Sequence, residues 1–412
     1  MKLKQLTQNL PAKLLGLSLA LLSVQSVGAQ TWQTVLDYQL VAGKESDGSG
    51  IVADALGNVF SGGIGADAAG TNHGIVLKTD TTQANWYFSD DTNPSAAQDQ
   101  SVIWNMGLDA SGKVYSIGQL TPDSSGITYW YVRKSSDSGA TWSTVDQSLY
   151  GAGQFMDTTG FAADDTGNIY VVGWGQDQTV VGTGKHTTTQ TTIHWLVRKS
   201  SNGGQTWNLV DDVTGPSANG AAYVPGAGVF VAGGRFITGS WLVRRSPTGE
   251  PGTWSTVDGP FAQGAARVVG GDNQGNVYVS GSMFVVTGVV TIKHQTTTNG
   301  YYAWITRKSS DGGSTWSTVD SQNLGGYGPV GIGKDAVGNV VVVGGSSGDW
   351  IVRTPDLSGT WHTIDDFQLS PGYRASASGA ATDAAGHLLV AGSANDSTGI
   401  HWIVRRLANS VP

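Results

Sequence analysis

The chain contains no cysteine, which excludes disulfides, thiol chemistry and cysteine-ligated metals. Glutamate is nearly missing: Glu45 and Glu250 are the only two in 412 residues. Charged residues make up only 13% of the chain, and the 23 lysines and arginines are outnumbered by 31 acids, for a formal net charge of −8. That balance argues against a nucleic-acid partner, because phosphate backbones are held by basic patches. Beyond residue 29 there is no apolar run near the ~20 residues that a spanning helix needs, so no membrane span is expected in the mature chain. No phosphate-binding loop, nucleophile motif or metal-ligand spacing is visible, and no cofactor is expected.

What the sequence does have is a leader, many glycines and a repeat. Residues 1–29 read as a secretory signal: Lys2, Lys4 and Lys13 supply the positive region, Leu14 to Val24 the short apolar run, and Val27-Gly28-Ala29 a small-residue cleavage site. The alternative, an N-terminal anchor, needs a longer run. Cleavage would take three lysines away and move the charge from −8 to −11. A secreted or periplasmic location follows as the expectation. The 60 glycines have no collagen-like period and mark tight turns between short strands.

The repeat is the dominant signal. Asp-x-x-Gly followed by an apolar strand starts at Asp54, Asp109, Asp164, Asp272, Asp335 and Asp383, with a degenerate copy at Pro225-Gly226-Ala227-Gly228. Seven copies at roughly 50–60 residues suit a propeller. A second element, Trp-x-Val-Arg or a close variant, starts at Trp130, Trp195, Trp241, Trp304, Trp350 and Trp402, with Ile75 to Lys78 as a weakened first copy. A third element, of the Thr-Trp-Ser-Thr-Val-Asp type, centres on Trp142, Trp207, Trp254, Trp316 and Trp361. Each repeat therefore reads as four short strands; in the third they run near 160–164, 168–173, 194–199 and 206–211. The last repeat stops after Trp402-Ile403-Val404-Arg405, and the mature chain opens with an orphan fourth strand, Thr31 to Val35. Joining the two closes a ring and removes open edges. The expectation is an all-β fold over 30–412: a single seven-bladed β-propeller of four-stranded antiparallel blades, its last blade built from both termini.

Between the third and fourth strands lies Ser135-Ser136-Asp137-Ser138-Gly139-Ala140-Thr141-Trp142, repeated at Ser309 to Trp316, with Asn202 for Asp at Ser200 to Trp207. This resembles the Asp-box, or bacterial neuraminidase repeat, of the sialidase-like superfamily, over nearly the whole mature chain. The residues read as structural: a turn carboxylate binds nearby backbone N–H groups, and near-equivalent sites around a ring cannot all be one active centre. The recurring Arg133, Arg198, Arg244, Arg307, Arg353 and Arg405 read as scaffold for the same reason. The resemblance raises sialidase-like glycoside hydrolysis, but fold is not function. The Arg-Ile-Pro signature that sialidases carry near their start is absent, Glu250 falls in a repeat turn, and a paired-carboxylate mechanism would have to use Asp. The preferred expectation is a noncatalytic propeller for extracellular recognition of a saccharide, an acidic ligand or an extracellular protein; the alternative is the hydrolase.

Residues that break the repeat on the face opposite the Asp-boxes are the candidates for a ligand site. Five residues before the repeat Asp stand Ser49, Trp104, Thr159, Arg267, Val330 and Ser378. Trp104 and Arg267 are large there, and Trp174, Arg235 and Arg374 interrupt the pattern nearby. Indole and guanidinium groups are favoured anchors; plugging of the central tunnel is the competing reading. Two blades also carry insertions after the second strand, with Lys185-His186 and Lys293-His294 each leading a threonine run. These read as solvated polar loops or as part of a binding surface; two histidines without a local third ligand make a poor zinc site.

Overall fold

A computed structural model describes residues 31–408, apart from 81, 93–99, 123–124, 152–154, 184–185, 236–238, 293–294, 324 and 326–327. Residues 1–29, read from sequence as a secretory signal, lie outside the described residues. Those described form twenty-eight strands in seven four-stranded sheets. Six blades are consecutive antiparallel meanders, and no helix among the described residues is long and apolar enough to cross a membrane. The innermost strands, from blade 1 to blade 7, are Ser46–Ala53, Gln100–Leu108, Met156–Ala163, Ala218–Val224, Gly264–Gly271, Gly328–Lys334 and Ala375–Thr382.

The seventh blade is composite, as the complementary ends require. Its outermost strand is Trp32–Tyr38, which pairs antiparallel with Gly399–Leu407 from Trp32 opposite Leu407 to Tyr38 opposite Trp402. The pairing runs past the Thr31–Val35 stretch read from sequence. Trp32 also donates its indole N–H to the Ile364 carbonyl of blade 6 at 2.8 Å.

The repeated residues hold blade to blade. Trp130, Trp195, Trp241, Trp350 and Trp402 are fully buried, and Trp304 nearly so. Each apolar core spans neighbouring sheets: Trp241 of blade 4, for example, packs with Val277 and Ile305 of blade 5. Truncating such a buried indole costs about 3–5 kcal/mol. The Trp-x-Val-Arg arginines each reach back to an aspartate on the outer strand of the preceding blade. The six pairs are Arg133–Asp90, Arg198–Asp146, Arg244–Asp211, Arg307–Asp258, Arg353–Asp320 and Arg405–Asp365, at 2.5 to 3.3 Å. The arginines are scaffold, as their recurrence implied.

The turns are held by their own aspartates. Asp164 Oδ1 accepts the backbone N–H groups of Thr166 and Asn168 at 3.0 and 2.8 Å, while Oδ2 accepts the Asn168 side-chain amide. In the Ser135–Trp142 turn, Asp137 accepts the Thr141 N–H and hydroxyl and the Ser135 hydroxyl. Gly139 closes that turn at φ +83°, where a β-carbon would be strained. Asp311 repeats the arrangement with Thr315 and Ser309.

Strand limits differ from the sequence reading in two ways. The innermost strand of blade 3 begins at Met156 rather than Gly160. A β-bulge between Thr158 and Gly160 breaks the period-two alternation there, which hides the strand's first turn of residues. The two insertions are not loops. Ile169–Thr183 with His186–Ser200, and Val277–Ile292 with Gln295–Ser309, form two long antiparallel ribbons that extend blades 3 and 5. Their threonine and valine content favours extended backbone even where no second layer covers it.

Candidate functional site: a bulged waist in the central tunnel

The up-and-down strand order puts the Asp-x-x-Gly and Ser-x-Asp turns on one face of the ring. The ribbons and the connections between blades lie on the other. Each of the seven innermost strands carries a β-bulge, and in each the bulged residue is the one five positions before the repeat Asp or its equivalent. A bulge leaves one residue out of the ladder and re-aims its side chain. Here the seven are Ser49, Trp104, Thr159, Asn219, Arg267, Val330 and Ser378, and all seven line one cavity of about 530 Å³. A second cavity of about 360 Å³ reaches toward the turn face and shares Asn105, Thr159, Asn219, Val330 and Ser378 with the first. The bulges thus form the waist of an axial tunnel.

Five of the seven waist side chains are small or medium. The two that are not are Trp104 of blade 2 and Arg267 of blade 5. Trp104 is 37% exposed, in contrast to the buried tryptophans of the Trp-x-Val-Arg element. Arg267 is desolvated, and burial lowers its guanidinium pKa, though arginine stays charged. Trp174 and Arg235 line the same cavity toward the ribbon face. Trp174 is backed by Phe155, with ring centroids 4.8 Å apart and planes 25° from parallel, so its orientation is fixed before any ligand arrives. Arg235 is exposed at the end of blade 4's second strand.

Of the residues singled out in the sequence, Trp104, Arg267, Trp174 and Arg235 are therefore brought together. Arg374 borders a separate cavity of about 260 Å³ with Ser376, Ser393 and Asn395. His186 is exposed at the tip of the first ribbon, opposite Thr183, and does not line the cavity. His294 lies outside the described residues, as do Lys185 and Lys293.

Among the lining residues that went unnoticed in the sequence, two carry chemistry or position the waist. Asn219 was hidden because blade 4 has lost the Asp that marks the count. Asp157, two positions before Thr159, is the other. It faces Trp174 across the strand pair and takes a hydrogen bond from the Trp104 indole. Burial raises its pKa to about 7, against the lowering effect of the Trp104 and Thr158 N–H groups. Its Oδ1 is buried and has no hydrogen-bond partner among the described residues. The available signal was an acid at a position held by Val102, Ser217, Ala265, Gly328 and Ser376 in five other blades. The sixth, blade 1, has Asp47, raised by burial to about 6 and held by Ser393, but Asp47 does not line the cavity.

No protein-family model matches the chain, and no curated protein matches it. Solved structures of related shape are found at low identity. The α-L-arabinofuranosidase Arb93A from Fusarium graminearum, complexed with an iminosugar inhibitor, is 11% identical, with 93% of this chain and 99% of that chain covered at a TM-score of 0.49. The intramolecular trans-sialidase from Ruminococcus gnavus, complexed with oseltamivir carboxylate, is 12% identical over 88% and 94%, TM-score 0.42. The polysaccharide lyase Uly1 is 9% identical over 85% and 88%, TM-score 0.48.

Proposed function

We propose that the chain is a secreted or periplasmic Asp-box propeller that recognises an acidic saccharide at the tunnel mouth opposite its turn face, without cleaving it. The observation that carries this reading is the broken symmetry of the waist. Residues repeated in every blade serve the ring, whereas an off-axis ligand needs residues that differ between blades. Trp104 and Arg267 occupy matching bulges yet differ from their neighbours in opposite ways. An indole gives a flat apolar face for a sugar ring, and a guanidinium gives a planar fork for a carboxylate or sulfate. Trp174 and Arg235 repeat the same pair of chemistries nearer the surface. The Asp-box assignment rests on the Ser135–Trp142 and Ser309–Trp316 turns, and the location on the leader at 1–29.

A second reading, glycoside hydrolysis, is favoured by one observation: a buried carboxyl held near neutral pKa is what a proton donor to a leaving group needs. Asp157 is, however, the only carboxylate among the described lining residues, and a paired mechanism requires two. The test is a panel of neutral, uronate-bearing, sialylated and sulfated oligosaccharides, followed by both binding and product release. Binding of acidic members without products supports recognition. Turnover abolished by Asp157→Ala replaces it with hydrolysis, and no binding to any member rejects both.

A further inference from the structure

Asp157 lines the cavity as a largely covered side chain, beneath the Trp104 indole that donates to it. Its strand partner is Trp174, its hydrogen-bond donor is Trp104, and both line the cavity with it. With Oδ1 buried and unpartnered, the carboxyl has few donors to stabilise a negative charge. The charged groups sharing the lining are Arg267 and Arg235, cations at every relevant pH. Groups on the elements packed around its strand are engaged elsewhere. His194 is held by Tyr150 and Asp212 at 3.0 and 2.8 Å. Arg133 and Arg198 pair with Asp90 and Asp146. Lys134 donates to the Gly203 carbonyl and Lys199 to Glu250. Tyr115, Tyr170 and Tyr223 donate to Asp109, Asp164 and Asp165 toward the turn face. No histidine is among the described lining residues.

We propose that Asp157 is a binding residue that meets an acidic sugar as an uncharged carboxylic acid, donating a hydrogen bond to the sugar carboxylate, so that complex formation takes up a proton in neutral and mildly alkaline solution. This deepens the recognition reading and rests on it. An O–H to carboxylate hydrogen bond is short and strong, and it needs the proton to be present. Ionised, Asp157 would lose the donor and repel the sugar, two effects of the same sign. A pKa raised to about 7 keeps the acid form populated near neutrality, where a carboxyl of ordinary pKa is ionised. Arg267 and Arg235 supply attraction that is constant with pH, so the pH dependence belongs to Asp157.

The experiment is calorimetric titration of the mature protein with oligogalacturonate, whose own carboxylates stay ionised throughout, at pH 6, 7 and 8. Phosphate and Tris buffers, with different ionisation heats, report proton uptake. The dissociation constant should be nearly flat below neutrality and rise about tenfold per pH unit above it, with about one proton taken up at pH 8. Asp157→Asn keeps a donor that does not titrate, so it should bind at pH 6 and pH 8 alike. Equal or tighter wild-type binding at pH 8 overturns the Asp157 proposal while leaving recognition standing. Absence of binding at every pH overturns both for this ligand class. If the Asn variant does not fold, the wild-type profile and proton count decide alone.

Discussion

Leu77 of blade 1 and Leu36 of blade 7 share one apolar cluster at the junction where the ring closes. They stand at the positions that hold Arg and Asp at the other six junctions: the strand register matches Gly74–Leu77, not Ile75–Lys78 as read from sequence, to Trp130–Arg133, so Leu77 replaces the arginine and Leu36, opposite Val404, replaces the aspartate. Both members of the pair are exchanged together, so no charge is left buried alone. Either Leu77→Arg or Leu36→Asp by itself is predicted to destabilise the fold by about 3–5 kcal/mol, the cost of an uncompensated buried charge. The double variant should recover a large part of that loss in urea unfolding. Additive losses would show that the junction does not accept the ion pair.

Removal of residues 31–40 should sharply lower the melting temperature. The deletion strips a whole strand from blade 7, exposes the edge of Gly399–Leu407 and removes the Trp32 bond to blade 6. A melting curve equal to that of the intact chain would refute the clasp.

The turn aspartates make acid stability a readable quantity. Asp137 and Asp311 are lowered to about 2, first by the Thr141 and Thr315 hydroxyls and then by the backbone N–H groups of the same residues. A depressed folded-state pKa gives stability that is present above about 4, the unfolded value, and is lost as pH falls toward 2. Melting temperature should therefore drop across that window. Asp137→Asn and Asp311→Asn together should make the drop shallower; an unchanged slope would show that these turns are not the titrating elements.

Asp157 has the opposite sign. Its folded pKa, raised by burial to about 7, makes the folded state progressively less stable as pH rises from about 4 through 7. Asp157→Asn is predicted to melt at a higher temperature than wild type at pH 8 and at nearly the same temperature at pH 4. A variant less stable than wild type at pH 8 would mean that the ionised carboxylate is held by more than its present contacts.

Trp104→Ala and Arg267→Ala should each abolish binding of acidic oligosaccharides while leaving the melting temperature nearly intact. Normal binding with much earlier melting would identify both as tunnel packing and move the search to the ribbons.

Blade number, closure and the scaffold arginines were legible because each is written by local residues copied around the chain. Trp104 and Arg267 were legible as departures from those copies. What escaped depends on non-local packing. Asp157 is ordinary in sequence; its chemistry comes from desolvation beside an indole contributed by the preceding blade. Asn219 was lost with the Asp that should have marked its turn. The ribbons were read as loops because nothing in their threonine runs says whether the flanking segments will pair, and only the continuous register from Ile169–Ser200 to Thr183–His186 does.

The clasp also divides the strand pairings into local ones and one distant one. Blades 1 to 6 each pair strands that are near neighbours in the chain, so they can zip as soon as their residues are available. Pairing Trp32 with Leu407 instead closes a loop of almost the whole molecule. A chain stopped short of its last strand would leave the edges that the clasp joins unpaired. In the intact ring no blade lies at a free end, because the strand from one terminus is held by the strand from the other.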